Sequence, residues 1–233
     1  MMPSFSPEEI QAILLSLKVA SVATIAVLPL GIGLAWLLAR REFWGKTLLN
    51  GIVHLPLVLP PVVTGYLLLL AFGHRGFAGR FFEQCCGLVF SFRWTGAALA
   101  AAVMGLPLMV RAIRLAIEAI DSRLESAAAT LGASPLRIFF TITLPLAVPG
   151  LIAGSILGFA KALGEFGATI TFVSSIPGET QTIALAIYGL TQVPGGDAGI
   201  LRLSAVSIAI SLAALAASEA MARRLSSRVA GFT

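Results

Sequence analysis

Long apolar runs alternate with short polar stretches along almost the whole chain. Five runs are long enough to cross a membrane: Ala12–Leu38, Ile52–Phe72, Trp94–Ile113, Leu146–Glu165 and Leu203–Met221. At about 1.5 Å per helical residue, roughly 20 residues cross a hydrocarbon layer of about 30 Å. The pattern predicts an all-α integral membrane protein with about five transmembrane helices, in a single domain over residues 1–233. Another apolar piece, Thr182–Val193, is too short to cross and reads as a re-entrant or interfacial helix. In the second run, HLPLVLPPVV carries Pro56, Pro60 and Pro61. Each proline removes a helix donor, so this span is expected to kink or break. Gly96, Ala100, Gly105, Gly154 and Gly158 supply small positions where helix backbones can approach closely.

One polar interruption stands out, ESAAATLGASPLRIFFTITLPLAVPG, from Glu125 to Gly150. Ser122-Arg123-Leu124-Glu125 has the form of a capping box, in which Ser122 caps a helix and Glu125 reaches back to its start. Leu124, Ala127, Ala128 and Leu131 then share one face, and Gly132 is a natural stop. Ser134 and Pro135 open a second short helix with Leu136, Phe139 and Phe140 on its apolar side, ended by Leu144-Pro145. The segment 122–143 is thus predicted to be two capped surface helices, placed to touch a partner or to lie on the membrane face.

Composition agrees with a lipid-dissolved chain. Of its residues 58% are hydrophobic and only 12% charged, with a mean hydropathy of +0.95, where soluble domains carry about 25% charge. The net charge of +5 reads as topology rather than as affinity for nucleic acid. Ten basic residues sit beside one set of span ends: Arg40, Arg41, Lys46, Arg111, Arg114, Arg123, Arg137, Arg223, Arg224 and Arg228. Four sit at the other: Arg75, Arg80, Arg93 and Arg202. The positive-inside rule then puts the N-terminus outside, and the C-terminus and the 122–143 loop in the cytoplasm. The N-terminus carries Glu8 and Glu9 and no basic residue before its apolar run, unlike a cleaved signal. Cys85 and Cys86 are adjacent, so they cannot staple distant segments, and they read as small apolar filler or an incidental pair.

Catalytic chemistry finds no foothold. Gly45-Lys46-Thr47 imitates the tail of a phosphate-binding loop, but Arg40 stands where its first glycine belongs. The chain is expected to bind no ATP, no other cofactor and no metal. His54 and His74 are isolated, and neither a nucleophile triad nor a paired-carboxylate site is visible, so no enzyme is expected.

The loop resembles the EAA loop of ABC importer permeases. That pattern is Glu-Ala-Ala, three residues, Gly, nine residues, Ile, one residue, Leu-Pro. Here Ala127-Ala128, Gly132, Ile142 and Leu144-Pro145 keep the spacing, while Ser126 replaces the glutamate and Glu125 lies one residue early. Beyond the loop, LVLPPVVTGYLLLL, GLPLMVRAIRLAIEAID, ALGEFGATITFVSSIPGETQTI and IYGLTQVPGGD resemble permeases of molybdate importers over about Glu8 to Arg228.

The resemblance implies a type I ABC importer permease fold in a bacterial inner membrane. It implies a homodimer, two ATP-binding subunits that supply the ATP site, and an extracytoplasmic molybdate-binding protein. Glu125, Ala127, Ala128, Gly132, Leu136 and Arg137 would couple the chain to those ATPases. Lys161 and Glu165 lie four apart in a span, and ionisable residues there are functional candidates. With Phe166, Gly167, Thr169 and Thr171 they are expected to border the translocation path, and a salt bridge at a span end is the competing reading. Tungstate or sulfate are alternative substrates. A stand-alone channel or secondary carrier is disfavoured, since a carrier should carry inverted repeats and none is found.

Overall fold

The computed structural model describes residues 5–230, apart from the side chains of 218, 219 and 221–230. Arg223, Arg224 and Arg228 of the predicted basic end lie outside those described side chains, as does Met221 at the end of the fifth predicted run.

The described chain is helical and without strands. It runs through α1 (Pro7–Arg40), α2 (Lys46–Val58), α3 (Pro61–Phe72), α4 (Phe77–Cys86), α5 (Trp94–Glu118), α6 (Ser122–Thr130), α7 (Pro135–Ile138), a π turn (Phe139–Thr143), α8 (Leu144–Leu163), α9 (Gly167–Val173), α10 (Ile183–Thr191) and α11 (Asp197–Ala230). Four helical segments are long and apolar enough to cross a membrane: α1, α5, Pro135–Leu163 and 197–217 of α11. The pair α2–α3 is long and apolar enough only when taken together and is bent by 114°, the form of a broken span or a re-entrant loop.

That break sits where the prolines predict it. Leu59 and Pro60 are extended, as residues preceding proline favour, and Pro61 is the first residue of α3, where its missing N–H is not needed. Pro56, by contrast, stays inside α2.

Three apolar clusters stack along α1. Ala12 packs with Ile183, Ala186 and Leu203 at one end. Val19, Ala20 and Ala23 pack with Ala97, Ala101, Met104 and Phe172 in the middle. Val27, Ala35 and Leu38 pack with Met109, Ile113 and Ile117 at the other end. α1 and α5 therefore run in parallel and α8 runs against them, since Ala162 belongs to the middle cluster and Ala147 to the far one. Gly105, Gly154 and Gly158 lie at the α5–α8 contact, where added side chains would press on Met109 and Ile113 or on backbone. Lipid offers little hydrophobic drive between helices, so such close backbone approach is what holds a membrane bundle together. The opposite faces carry exposed Leu14, Ile25, Leu30, Ile208, Leu212 and Leu215, as a lipid-facing surface would.

Several boundaries differ from expectation. Leu144-Pro145 does not end a helix: α7, the π turn and α8 are continuous. A proline ring crowds the carbonyl four residues earlier, and the wider π turn just before Leu144 accommodates it. Ser122 is not the cap of α6. Asp121 is, its carboxylate accepting from the Arg123 N–H at 2.9 Å. Glu165 is not in a helix but lies in the break between α8 and α9. The apolar piece predicted over Thr182–Val193 is α10, only nine residues long. Cys85 and Cys86 are free and exposed at the end of α4, so they fill no apolar gap within the chain.

Candidate functional site: a two-helix loop and two facing helix breaks

The first region is the loop at the α1 C-terminal end. Ser134 accepts from the Arg137 N–H and Pro135 is the first residue of α7, so this cap is as predicted. Gly132 adopts a left-handed φ of +86°, just past α6. Its neighbours close the helix, the Ala133 N–H donating to the Ala128 carbonyl at 3.1 Å.

Glu125 does not close a capping box. Its carboxylate faces inward and meets Arg40 at the end of α1, Nε to Oε2 at 3.1 Å. Arg40 Nη2 also donates to the Ile120 carbonyl at 3.0 Å, beyond the end of α5. The Thr143 hydroxyl, itself buried, donates to Glu125 Oε1 at 2.6 Å from the last residue of the π turn. The carboxylate thus ties α6 to the end of α1 and the start of α8, and Arg40 extends the tie to the end of α5. Beside it lies a cleft of about 360 Å³, lined by Trp36, Arg40, Glu125, Ala129, Phe139 and Thr143. Trp36 and Phe139 meet edge to face across its floor at 5.7 Å. The outer surface of the loop is apolar and bare, with Leu131 88%, Leu136 72% and Phe140 62% exposed. Ala127 and Arg137 are also exposed and Ala128 partly so. Nothing in the sequence marks Arg40 as the partner of Glu125, because 85 residues separate them. An arginine at the end of one span and an acid in the next polar loop on the same side is the only available hint.

The second region joins two interrupted spans. Lys161 Nζ and Glu165 Oε2 are 2.7 Å apart, with Glu165 only 2% exposed. The other carboxylate oxygen accepts from the Ala168 N–H at 3.0 Å. Glu165 therefore neutralises Lys161 and caps the start of α9 at once, so the break after Leu163 leaves a helix terminus satisfied. The break in α2–α3 faces this one. α3 packs directly on α9, with Gly65 against the Ala168 backbone and Pro61 against Gly167. A Cβ at Gly65 would fall inside contact distance of the Ala168 carbonyl oxygen.

The predicted polar lining is only partly turned outward. Thr169 is buried, and the Thr171 hydroxyl bonds back to the Gly167 carbonyl at 2.9 Å. Lys161 keeps part of its side chain exposed, and Phe166 is partly exposed with its ring 5.1 Å from that of Tyr188. Among the described residues, the buried Thr64 hydroxyl, beside Gly65, has no hydrogen-bond partner. At the far end of α1, Ser6 and Glu9 form a true capping box, and Glu9 also pairs with Arg202 of α11 at 2.7 Å.

Comparison with known proteins places these features in context. A family model described as binding-protein-dependent transport system inner membrane component matches residues 28–230. The chain is 60% identical over 215 residues to the molybdenum transport system permease protein ModB of Escherichia coli K12, covering 92% of this chain and 94% of that protein. It is 57% identical over 221 residues to the ModB protein of Haemophilus influenzae, covering 95% and 96%. Identity to the sulfate transport system permease protein CysT of Salmonella typhimurium is lower, 35% over 229 residues, covering 97% and 81%. Among solved structures, the MetNI methionine ABC transporter in inward-facing conformations superposes with a TM-score of 0.72 at 15% identity, covering 93% of this chain and 95% of that one.

Proposed function

The chain belongs to the family of binding-protein-dependent transport system inner membrane components, and from this membership we infer that it is the permease subunit of an ABC importer for molybdate. The observation that carries the substrate is the near full-length identity to molybdenum permeases, well above that to the sulfate permease. It is a multi-pass inner-membrane protein that works with ATP-binding subunits and a binding protein. It acts as a homodimer, with the N-terminus outside and the 122–143 loop in the cytoplasm. The grouping of Arg40, Arg114 and Glu125 at one end of the bundle and Glu9 with Arg202 at the other supports a single orientation for all spans.

The work of ATP closure enters at the bare apolar surface of α6 and α7. Because Glu125 holds α6 to Arg40 and Thr143, and Arg40 in turn holds the Ile120 carbonyl, a displacement of the loop carries α1, α5 and α8 with it. The anion passes beside the facing breaks of α2–α3 and α8–α9. Irregular backbone at membrane depth is tolerated only inside protein or along a watery cavity. Lys161 neutralises Glu165 there, so the carboxylate, with one oxygen on the α9 terminus, does not repel the anion. ATP and the loaded binding protein must each favour one conformation of this arrangement for transport to be driven.

Reconstitution in vesicles with the partner ATPase and binding protein tests the reading: radiolabelled molybdate should enter only with ATP, and excess sulfate should compete weakly. Equal competition by sulfate would reassign the substrate. Single cysteines at Glu8 and Thr130, in a chain lacking Cys85 and Cys86, test the orientation with an impermeant thiol reagent on intact cells. Labelling is expected at position 8 only, and labelling at 130 alone would invert the topology.

A further inference from the structure

Among the described residues, Lys18 lies within a spanning helix without an acidic partner, as does Arg111 near the other end of α5. The ion pairs of the described residues join Arg40, Lys46, His74, Arg114, Lys161 and Arg202 to carboxylates, and none includes Lys18. Lys18 is exposed, a dozen residues into α1, and its Nζ sits 3.7 Å above the centre of the Trp94 ring. Trp94 is the first residue of α5, so this cation lies at the level where α5 enters the membrane. Tryptophan favours that interfacial depth. Arg93, next in the chain and exposed, adds a second positive charge there with no carboxylate partner.

Below this pair opens an almost wholly apolar groove of about 290 Å³ between α1 and α5. Val22, Ala26, Phe90, Ala98 and Leu99 help line it, and Trp94 forms its upper wall. The one hydroxyl at its rim, that of Thr95, is already engaged with the Val89 carbonyl. A slot with no free polar group cannot hold a hydrated ion. An apolar chain beneath a cationic rim is the complement of a lipid with a negative head.

We infer that this groove seats one acyl chain of an anionic glycerophospholipid, whose phosphate is held by Lys18 with Arg93 at the membrane surface. The cation–π contact keeps the ammonium at the rim without neutralising it, so its charge remains for a phosphate. On the orientation proposed above the lipid belongs to the outer leaflet, and on the opposite orientation the same site would face the inner one.

The test uses the intact permease–ATPase complex in detergent. Phosphatidylglycerol and phosphatidylethanolamine are added in equal amounts, and bound lipid is counted by native mass spectrometry. Phosphatidylglycerol should be retained about fivefold over phosphatidylethanolamine, the scale of one basic residue acting near an anionic surface. Lys18→Gln should weaken that preference severalfold, leaving only the share of Arg93. Ala26→Leu, which fills the groove, should lower retention of both lipids. No preference in the unmodified complex, or an undiminished preference in Lys18→Gln, overturns the proposal. So does a disulfide between protomers formed by Ala26→Cys or Leu99→Cys in a chain lacking Cys85 and Cys86, which would give the groove to a second copy. Molybdate uptake by the same preparations reports on the transport reading separately, since lipid preference is read without turnover.

Discussion

Two partly or fully buried carboxylates serve different levels of this molecule in different ways. Glu165 reaches Lys161 four residues back and the Ala168 N–H three residues on. Everything it holds lies within one interrupted span. Glu125 reaches Arg40 across 85 residues and Thr143 across 18, so it holds separate helices to a loop. The first arrangement stabilises an unusual backbone; the second, on the function proposed, is the one placed to transmit a displacement. Changes at the helix break should therefore appear first as lost stability. Changes at the loop should leave the bundle folded and appear as lost coupling.

The largest effect is expected at the break. Lys161→Met leaves the Glu165 carboxylate, 2% exposed, without its cation. Stranding one partner of a buried pair costs about 3 kcal/mol, at the low end of the usual range because Lys161 is partly exposed. Thermal unfolding of the purified complex should shift down accordingly. Lys161→Met combined with Glu165→Gln should recover part of the loss, the mark of a coupled pair. Equal melting of the single and double variants would leave Glu165 only its cap on α9.

A second change sharpens the same side of the contrast. Gly65→Ala sets a methyl group against the Ala168 backbone, which cannot rotate away as a side chain can. Overpacking of this kind costs about 2 kcal/mol, and it acts by prising α3 from α9. The melting temperature and uptake should fall together. Unchanged melting would mean that α3 and α9 separate without penalty, and the two breaks would not form one structural unit.

The same contrast explains what the residues disclose in advance. The pattern Ser-x-x-Glu occurs at Ser6 to Glu9 and again at Ser122 to Glu125, and only the first forms a capping box. Locally the two are equivalent. They differ because Arg40 and Thr143 capture Glu125, while Asp121 stands ready one residue earlier to cap α6 in place of Ser122. The short-range features were legible: the spans, the proline break, the Ser134-Pro135 cap, the Gly132 stop and the Lys161–Glu165 pair. The spans depend on a continuous local run of apolar residues, and each of the others on residues within about one helical turn. The π turn, the α9 cap and the Arg40 tie were not, since each is settled by packing between segments distant in sequence or by a backbone form that residue pattern does not encode. Hydropathy likewise cannot tell that Leu144-Pro145 continues a helix, because a proline at a first turn and a proline after a stop look alike.

On the loop side, Arg40→Met removes the cation but keeps much of the side chain's bulk. Arg40 and Glu125 are 16% and 19% exposed, so the loss of stability should be about 1–2 kcal/mol, below that of Lys161→Met. The larger consequence is mechanical. With α6 released from α1, ATP closure should move the loop without moving the spans. Molybdate imported per ATP hydrolysed should fall severalfold while hydrolysis continues. Hydrolysis and uptake falling in strict proportion would indicate lost assembly instead, and would break the distinction between a stabilising carboxylate and a transmitting one.

The smallest effect on the chain itself is expected at Gly132, and for that reason it isolates the partner. Its φ of +86° strains any residue with a Cβ by about 1 kcal/mol. Yet an added Cβ there meets nothing within 4 Å, so the space beyond is open. Gly132→Ala and Gly132→Trp should therefore lower the melting temperature of the isolated permease by similar small amounts. In the assembled transporter they should part. Alanine keeps the loop surface nearly unchanged, whereas tryptophan projects an indole beside Leu131 and Leu136, where an ATPase is proposed to sit. Uptake should survive in the alanine variant and be lost in the tryptophan one, with the complex assembling poorly or hydrolysing ATP without transport. Equal uptake by the two would mean that nothing docks against this turn, and the bare apolar surface of α6 and α7 would then have to lie on lipid.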